Sequence, residues 1–392
     1  MPYTNLLVST NLLIEQLLIQ PVLPSFSKNL LSRFYNRQDN FLRLIKMITN
    51  RSRFLKNALV LGAMALGSVF TACNNNSGST QENSTNAKPT AGETLKIAVI
   101  PKGSTHTYWK SVHAGAMKAA SELGNVEVIW QGPQKEDDRQ MQIQVVQNFI
   151  SRGVNGIVLA PLDERSLVPP VKAAIKRKIP VVIFDSDLGS KEYASFVATD
   201  NFAGGKLCAQ RLAELTGGKG KIIMLRYSEG SASTHAREEG FLAGMKEYAP
   251  DAQLVSTNQY AGATMEKAFQ ASQNLLNRFA DVNGIYCPNE SSTQGMLRAL
   301  QTAGKAGKVK FVGFDSNETL ITALNAGTIQ GLALQDPFNM GYQGVKTAVA
   351  VIKGDAFEKR IDTGITMATK ENINDPKINA LLTPDLKKWL NE

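Results

Sequence analysis

From Leu95 to Leu334 the chain repeats one pattern, a short apolar or β-branched run followed by an amphipathic stretch of helical length, and this alternation constrains the fold most. The runs predicted as strands are Leu95 to Ile100, Val126 to Trp130, Gly156 to Ala160, Val181 to Phe184, Ser195 to Ala198, Lys221 to Leu225, Gln253 to Thr257, Gly284 to Cys287, Val309 to Phe314 and Gly331 to Leu334. Several, such as Val181-Val182-Ile183-Phe184, are continuously apolar. A strand reads that way when helices cover both faces of a parallel sheet. Between the runs, Ala268, Ala271, Leu275 and Phe279 recur at helical spacing, and Ser291-x-x-Gln294 fits a capping box. Strand, helix and strand repeated this often predict a doubly wound α/β architecture of parallel sheets with right-handed crossovers.

Ahead of this region the chain is of a different kind. Arg51, Arg53 and Lys56 precede an uncharged stretch from Asn57 to Phe70, which runs into Thr71-Ala72-Cys73. A basic segment, a short apolar segment and small residues at the cut are the layout of a secretory signal. The apolar stretch falls short of the about 20 residues that span a bilayer. Residues 47–72 are therefore read as a cleaved signal, and residues 1–46 as an upstream extension outside the fold. Phe70-Thr71-Ala72-Cys73 resembles the lipobox of bacterial lipoproteins, with Phe70 where Leu is usual, which makes Cys73 the expected lipidation site and membrane anchor. Residues 73–94 are almost wholly Asn, Ser, Thr, Gly, Gln, Glu and Ala, the composition of a disordered tether.

Charge and cysteine usage exclude two classes. Residues 1–72 carry eight Lys and Arg against two Asp and Glu, so +6 of the formal +9 lies outside the mature chain and the basic balance gives no reason to expect nucleic acid. With three histidines, His106, His113 and His235, and no CxxC, no metal or other cofactor is expected. Cys208 and Cys287 read as small buried residues rather than a bridge.

In open α/β sheets ligands bind beyond the carboxyl ends of the strands. The residues that follow the predicted strands are consistently polar or aromatic: Lys102, His106, Tyr108 and Trp109; Asp163; Asp185, Ser186 and Asp187; Tyr227 and Glu229; Asn289; Asp315; Gln335. Any one Asp or Asn among them can be a helix cap instead. As a set they suit a polar cleft that bonds hydroxyls and offers rings to C–H faces. As an enzyme the chain could use Asp163, Asp185 and Asp315 as acids or bases, but no nucleophile elbow, phosphate loop or metal spacing is present, and glycosidase chemistry would require two carboxylates at a defined separation. A repressor would need a helix-turn-helix where the export signal and tether stand.

The segments Ile97 to Trp109, Gly156 to Asp163, Pro180 to Asp185, Ala198 to Gly205, Ala236 to Phe241, Gly295 to Gly304 and Val312 to Asp315, with Asn289 and Gln335, resemble the periplasmic sugar-binding proteins of the ribose-binding type. Val197-Ala198-Thr199-Asp200-Asn201 before Gly204-Gly205 and Val312-Gly313-Phe314-Asp315 carry the resemblance most specifically. It implies two doubly wound lobes, 95–199 with 336–361 and 200–335 with 362–392, joined by three crossings near Asp200, Gln335 to Asp336 and Asp362. It implies a monomeric exported protein that closes on a monosaccharide and delivers it to an ABC permease with its ATPase subunit. By the same matching, Tyr108 and Trp109 sandwich the sugar ring, while Asp185, Arg237, Asn289, Asp315 and Gln335 bond its hydroxyls and ring oxygen. Three positions depart from the ribose-type pattern: His106 and Ala160 stand for Asn, and Ser186 for Arg. Ile100-Pro101-Lys102 and Asp185-Ser186-Asp187 are closer to the autoinducer-2 and rhamnose branch, which leaves autoinducer-2 or a polyol-like signal, read by a chemoreceptor or sensor, as the alternative ligand.

Overall fold

The computed structural model describes residues 94–390, so the signal, the lipidation site, the upstream extension and nearly all of the tether lie outside the described residues. In chain order the strands are β1 (Leu95–Ile100), β2 (Val126–Trp130), β3 (Gly156–Leu159), β4 (Val181–Phe184), β5 (Ser195–Ala198), β6 (Lys221–Arg226), β7 (Gln253–Tyr260), β8 (Gly284–Tyr286), β9 (Lys310–Phe314), β10 (Gly331–Leu334), β11 (Arg360–Asp362) and β12 (Thr366–Ala368). The helices are α1 (Thr107–Leu123), α2 (Arg139–Arg152), α3 (Val168–Lys176), α4 (Asn201–Thr216), α5 (Ala232–Tyr248), α6 (Met265–Arg278), α7 (Glu290–Thr302), α8 (Glu318–Asn325), α9 (Pro337–Lys353), α10 (Pro376–Leu382) and α11 (Lys387–Leu390).

The strands form two sheets, ordered β11-β5-β4-β3-β1-β2 and β12-β10-β9-β8-β6-β7. Every pairing is parallel except that of β10 with β12. Because the side-chain period is two, an all-apolar strand feeds two cores. Val182 and Phe184 pack with Val112 of α1 and Val345 of α9, while Val181 and Ile183 pack with Val146 of α2 and Val171 of α3. Each such side chain contributes about 2 kcal/mol through burial. The second sheet is flanked in the same way, and both lobes close their cores within residues 94–390. Cys208 and Cys287 are free and buried in separate clusters of the second lobe.

The chain passes between lobes from β5 to α4, from β10 to α9 and from β11 to β12. These strands of chain are tied together. Asp200 N donates to Asp362 Oδ1 at 3.2 Å, Thr199 Oγ1 to Gly364 O at 3.0 Å and Arg360 Nη1 to Ala198 O at 2.6 Å. Two expectations need correction. The capping box at Ser291 is displaced, because α7 starts at Glu290 and Asn289 caps it by accepting from Ser292 N. The tail does not stay on the second lobe: Ile378 and Leu382 of α10 pack into that core, but α11 returns to rest on α1.

Glycines let helices cross closely in both lobes. A Cβ on Gly205 of α4 would lie 2.0 Å from the Arg237 carbonyl oxygen of α5, and one on Gly240 of α5 would lie 2.0 Å from Phe202 O. In the first lobe Gly115 and Gly341 bring α1 and α9 together equally closely. The Gly205 crossing also sets where Arg237 projects. Gly205→Ala is expected to destabilise the protein by about 2 kcal/mol or more through overpacking. Urea unfolding should show a lower midpoint at unchanged slope, and an unchanged midpoint would contradict the close crossing.

Candidate functional site

The carboxyl ends of the two sheets face one another, and a polar cavity of about 30 Å³ lies between them. Lys102, His106, Tyr108, Trp109, Asp185, Arg237, Asn289, Asp315 and Gln335 all line it, brought there from both lobes. Ala160 does not; it is part of the first lobe's core. Asp187 is also elsewhere, accepting from the Tyr193 hydroxyl at 2.7 Å and pairing with Lys191.

Asp185 and Asp315 follow β4 and β9 in the left-handed backbone region, with φ of 59° and 64°. Neither caps a helix of its own. In each case the backbone N–H continues the sheet by one bond while the chain turns: Asp185 N donates to Val197 O at 3.0 Å and Asp315 N to Ala333 O at 2.9 Å. The left-handed turn brings both carboxylates to the cavity instead of carrying the chain onward in extended form. Asp tolerates this conformation better than most residues.

Each carboxylate holds a cation. Lys102 Nζ lies 2.7 Å from Asp185 Oδ2, and the Tyr108 hydroxyl donates to Oδ1 at 2.8 Å. At that distance the ammonium satisfies Oδ2 directly. Across the cavity, Arg237 Nη1 lies 3.7 Å from Asp315 Oδ2 and Gln335 Nε2 donates to Oδ1 at 2.7 Å. Arg237 is fixed by Asn201 Oδ1 at 2.8 Å, by Pro288 O at 2.9 Å and by the Phe314 ring 4.0 Å beneath its guanidinium. Burial pushes the Asp315 carboxyl up despite Arg237 and Gln335, and burial does the same to Glu290. The Gln335 Oε1 atom is buried and accepts no hydrogen bond.

Residues that sequence reasoning passed over complete the wall. Glu136, in the loop after β2, is the hub: it pairs with His106 Nδ1 at 2.7 Å, accepts from Trp109 Nε1 at 2.6 Å and accepts from the Tyr227 hydroxyl. Burial alone would push His106 down, but the charge and hydrogen bond of Glu136, helped by Glu290 and Asp315, raise it to about 9. Burial alone would push Glu136 up, yet His106, Lys102 and Tyr227 outweigh it and bring the carboxyl down to about 2. His106 caps α1 in position only, its side chain being committed to Glu136.

The aromatic sandwich is corrected. Tyr108 and Trp109 are consecutive on α1, and their rings meet at 87° with centroids 4.9 Å apart. They form a corner, not two parallel walls. Ser186, which stands where the ribose-type pattern has Arg, accepts from Ser233 N at 3.0 Å, and Ser233 Oγ accepts from Lys102 at 3.0 Å. Glu164 N also donates to Gly230 O at 3.0 Å and Arg139 Nη2 to Glu229 O at 2.7 Å, so the lobes touch directly. A cavity of about 30 Å³ admits a water or two, whereas small-molecule pockets hold about 300 Å³ or more, so a larger ligand needs the lobes to part. Beside it a groove of about 400 Å³ contains Asp163, which accepts from Arg165 N and Ser166 N and faces Arg139.

Two α/β lobes that meet over a ring of buried acids, bases and aromatics define a hinged small-molecule binding protein. The chain belongs to the periplasmic binding protein family, whose domain model matches residues 97–356. It is 30% identical over 276 residues to the ribose import binding protein RbsB of Escherichia coli, covering 70% of this chain and 90% of the relative. A carbohydrate transporter solute-binding protein from Agrobacterium radiobacter, solved in complex with D-arabinose, is 35% identical with a TM-score of 0.71, covering 74% of this chain and all but 1% of that one. An ABC transporter solute-binding protein from Agrobacterium vitis, with bound D-fucose, is 36% identical with a TM-score of 0.68 over 74% of this chain and 100% of the other.

The His106–Glu136 pair has a definite pH signature. His106 is raised above its unfolded 6.5, so its contribution is complete below pH 6.5 and lost as pH rises through about 9. Glu136 is depressed below 4.5, so its contribution is complete above pH 4.5 and lost as pH falls through about 2. The melting-temperature advantage of the parent over Glu136→Gln should therefore be greatest between pH 4.5 and 6.5 and shrink towards pH 9. An advantage that stays constant to pH 9 would contradict the pairing.

Proposed function

We propose that this chain is the solute-binding component of an ABC importer of sugars, which binds one neutral monosaccharide between its lobes and presents it to a permease. The observation that carries this reading is the closed ring of buried polar groups from both lobes around one cavity, with a carboxylate on each lobe and with Gln335 Oε1 accepting no hydrogen bond. A buried acceptor without a donor is costly, and a ligand hydroxyl would satisfy it. Each cavity carboxylate at Asp185, Asp315 and Glu136 already has a cationic partner, and burial keeps Glu290 protonated more readily than usual, which suits an uncharged ligand.

Ligand contacts on both lobes couple binding to closure, because only the closed form makes both sets. The ribose, arabinose and fucose in the relatives' descriptions support a pentose, hexose or deoxysugar here. The membrane tie is read from the sequence around Cys73, which would keep the exported chain near its permease. No helix among the described residues is long and apolar enough to cross a membrane.

Asp185→Ala and Asp315→Ala are each expected to weaken sugar binding at least about tenfold, or 1.4 kcal/mol, by calorimetry. Ligand-induced compaction in small-angle scattering should fall with it. Normal affinity and compaction in both variants would remove these residues from the binding role. Cys73→Ser is expected to leave an unlipidated, mislocalised precursor, and continued incorporation of labelled fatty acid by that variant would refute the anchor.

A further inference from the structure

Opposite the ligand cavity, at the amino ends of β3, β4 and β5, the first lobe opens onto a second groove of about 510 Å³. Its lining is about half apolar, with Val154, Ile175, Ile179, Val351 and Ile352 inside and Phe357, 38% exposed, at the lip. The rim is basic. Lys178 and Lys359 line it, and Arg152, Lys176 and Lys353 are sequence neighbours of lining residues and exposed. Among the described residues none of these five makes an ion pair with a carboxylate, whereas Glu192 of the same groove is paired with Lys172 at 2.6 Å. Asp355 and Glu358 of the adjoining turn leave the cations in excess. Lys178 sits in left-handed backbone at φ 59°, where a glycine would serve the turn at less cost, yet a lysine is present.

The entry point of the chain is at this pole. Lys96 N donates to Asn155 Oδ1 at 2.8 Å and Asn155 N to Lys96 O at 2.9 Å, and Asn155 lines the groove. The residues from Asn74 to Glu93 connect this point to Cys73. Twenty residues reach at most about 70 Å, so an anchored chain would hold the groove near the bilayer.

We propose that this groove is a membrane-surface site for anionic phospholipid, with headgroup phosphates on the basic rim and Phe357 at the acyl boundary. An apolar lip beside cations that no carboxylate neutralises, Lys359 among them with its ammonium 5.4 Å from the Phe357 ring centroid, is the chemistry of an interfacial site, and these charges supply a second membrane signal beside a lipid anchor. The inference goes beyond the transport reading and draws on the Cys73 anchor only for proximity.

The test uses the unlipidated chain from Asn74 onward, which holds every residue of both cores, so that its outcome is independent of Cys73 and of sugar binding. Co-sedimentation with vesicles of equal parts phosphatidylglycerol and phosphatidylcholine should exceed that with phosphatidylcholine alone by at least about tenfold, and high salt should abolish the difference. Lys353→Glu/Lys359→Glu, at exposed positions, should lose the preference while keeping the parent's melting temperature and sugar affinity. Phe357→Trp should give a blue-shifted emission on the anionic vesicles. Equal sedimentation of parent and charge-reversed chains, equal binding to both vesicle types, or sedimentation without vesicles through self-association would each overturn the proposal.

Discussion

The cavity depends on a backbone constraint, the left-handed turn at Asp185 and Asp315. For an ordinary residue that conformation costs about 1 to 2 kcal/mol, less for Asp. Each lobe meets the cost by extending its sheet by one hydrogen bond, to Val197 O in one and Ala333 O in the other. An extended Asp would continue along its strand and the carboxylate would leave the cavity. With the turn in place, Lys102 and Tyr108 gather on one carboxylate, Arg237 and Gln335 on the other.

Around those two acids the charges are matched in pairs within each lobe, Lys102 with Asp185 and His106 with Glu136 in the first and Arg237 with Asp315 in the second, while hydrogen bonds cross between the lobes. Glu136 of the first lobe bonds Tyr227 of the second, Lys102 reaches Ser233, and Tyr108 N donates to Glu290 Oε2 at 3.4 Å. Buried ion pairs repay their desolvation only when geometry and further hydrogen bonds are good, and here the bonds that also join the lobes supply part of that satisfaction. A ligand can shift such an arrangement only by its differential affinity for the open and closed forms. On the proposed reading, the buried Gln335 Oε1 is one place where a hydroxylated ligand would gain that difference.

Much of the architecture was legible because strands buried on both faces read as unbroken apolar runs. β11 and β12 were not, since three-residue strands at sheet edges are held by backbone bonds and leave no periodicity. The residues at the strand ends were legible from the rule that ligands bind there, and Tyr227 was among them. Glu136 was hidden in the acidic loop Lys135-Glu136-Asp137-Asp138, where nothing distinguishes a buried carboxylate from two solvated ones. A usable signal went unread: Phe-Asp-Ser ends both β4 and β9, at Phe184-Asp185-Ser186 and Phe314-Asp315-Ser316, and marks the equivalent turns. The perpendicular aromatic pair follows from helix geometry, since consecutive residues diverge by about 100°.

The central claim is that the interlobe cavity takes an uncharged monosaccharide. Its most direct test is titration calorimetry of the mature chain against ribose, allose, arabinose, fucose, tagatose and xylitol, with glucuronate and autoinducer-2 as charged and non-sugar comparators. The account predicts one site per chain for at least one neutral sugar, with a negative heat-capacity change as the lobes close over it. Binding of glucuronate or autoinducer-2 in preference to every neutral sugar, or no binding of any neutral sugar, would contradict it.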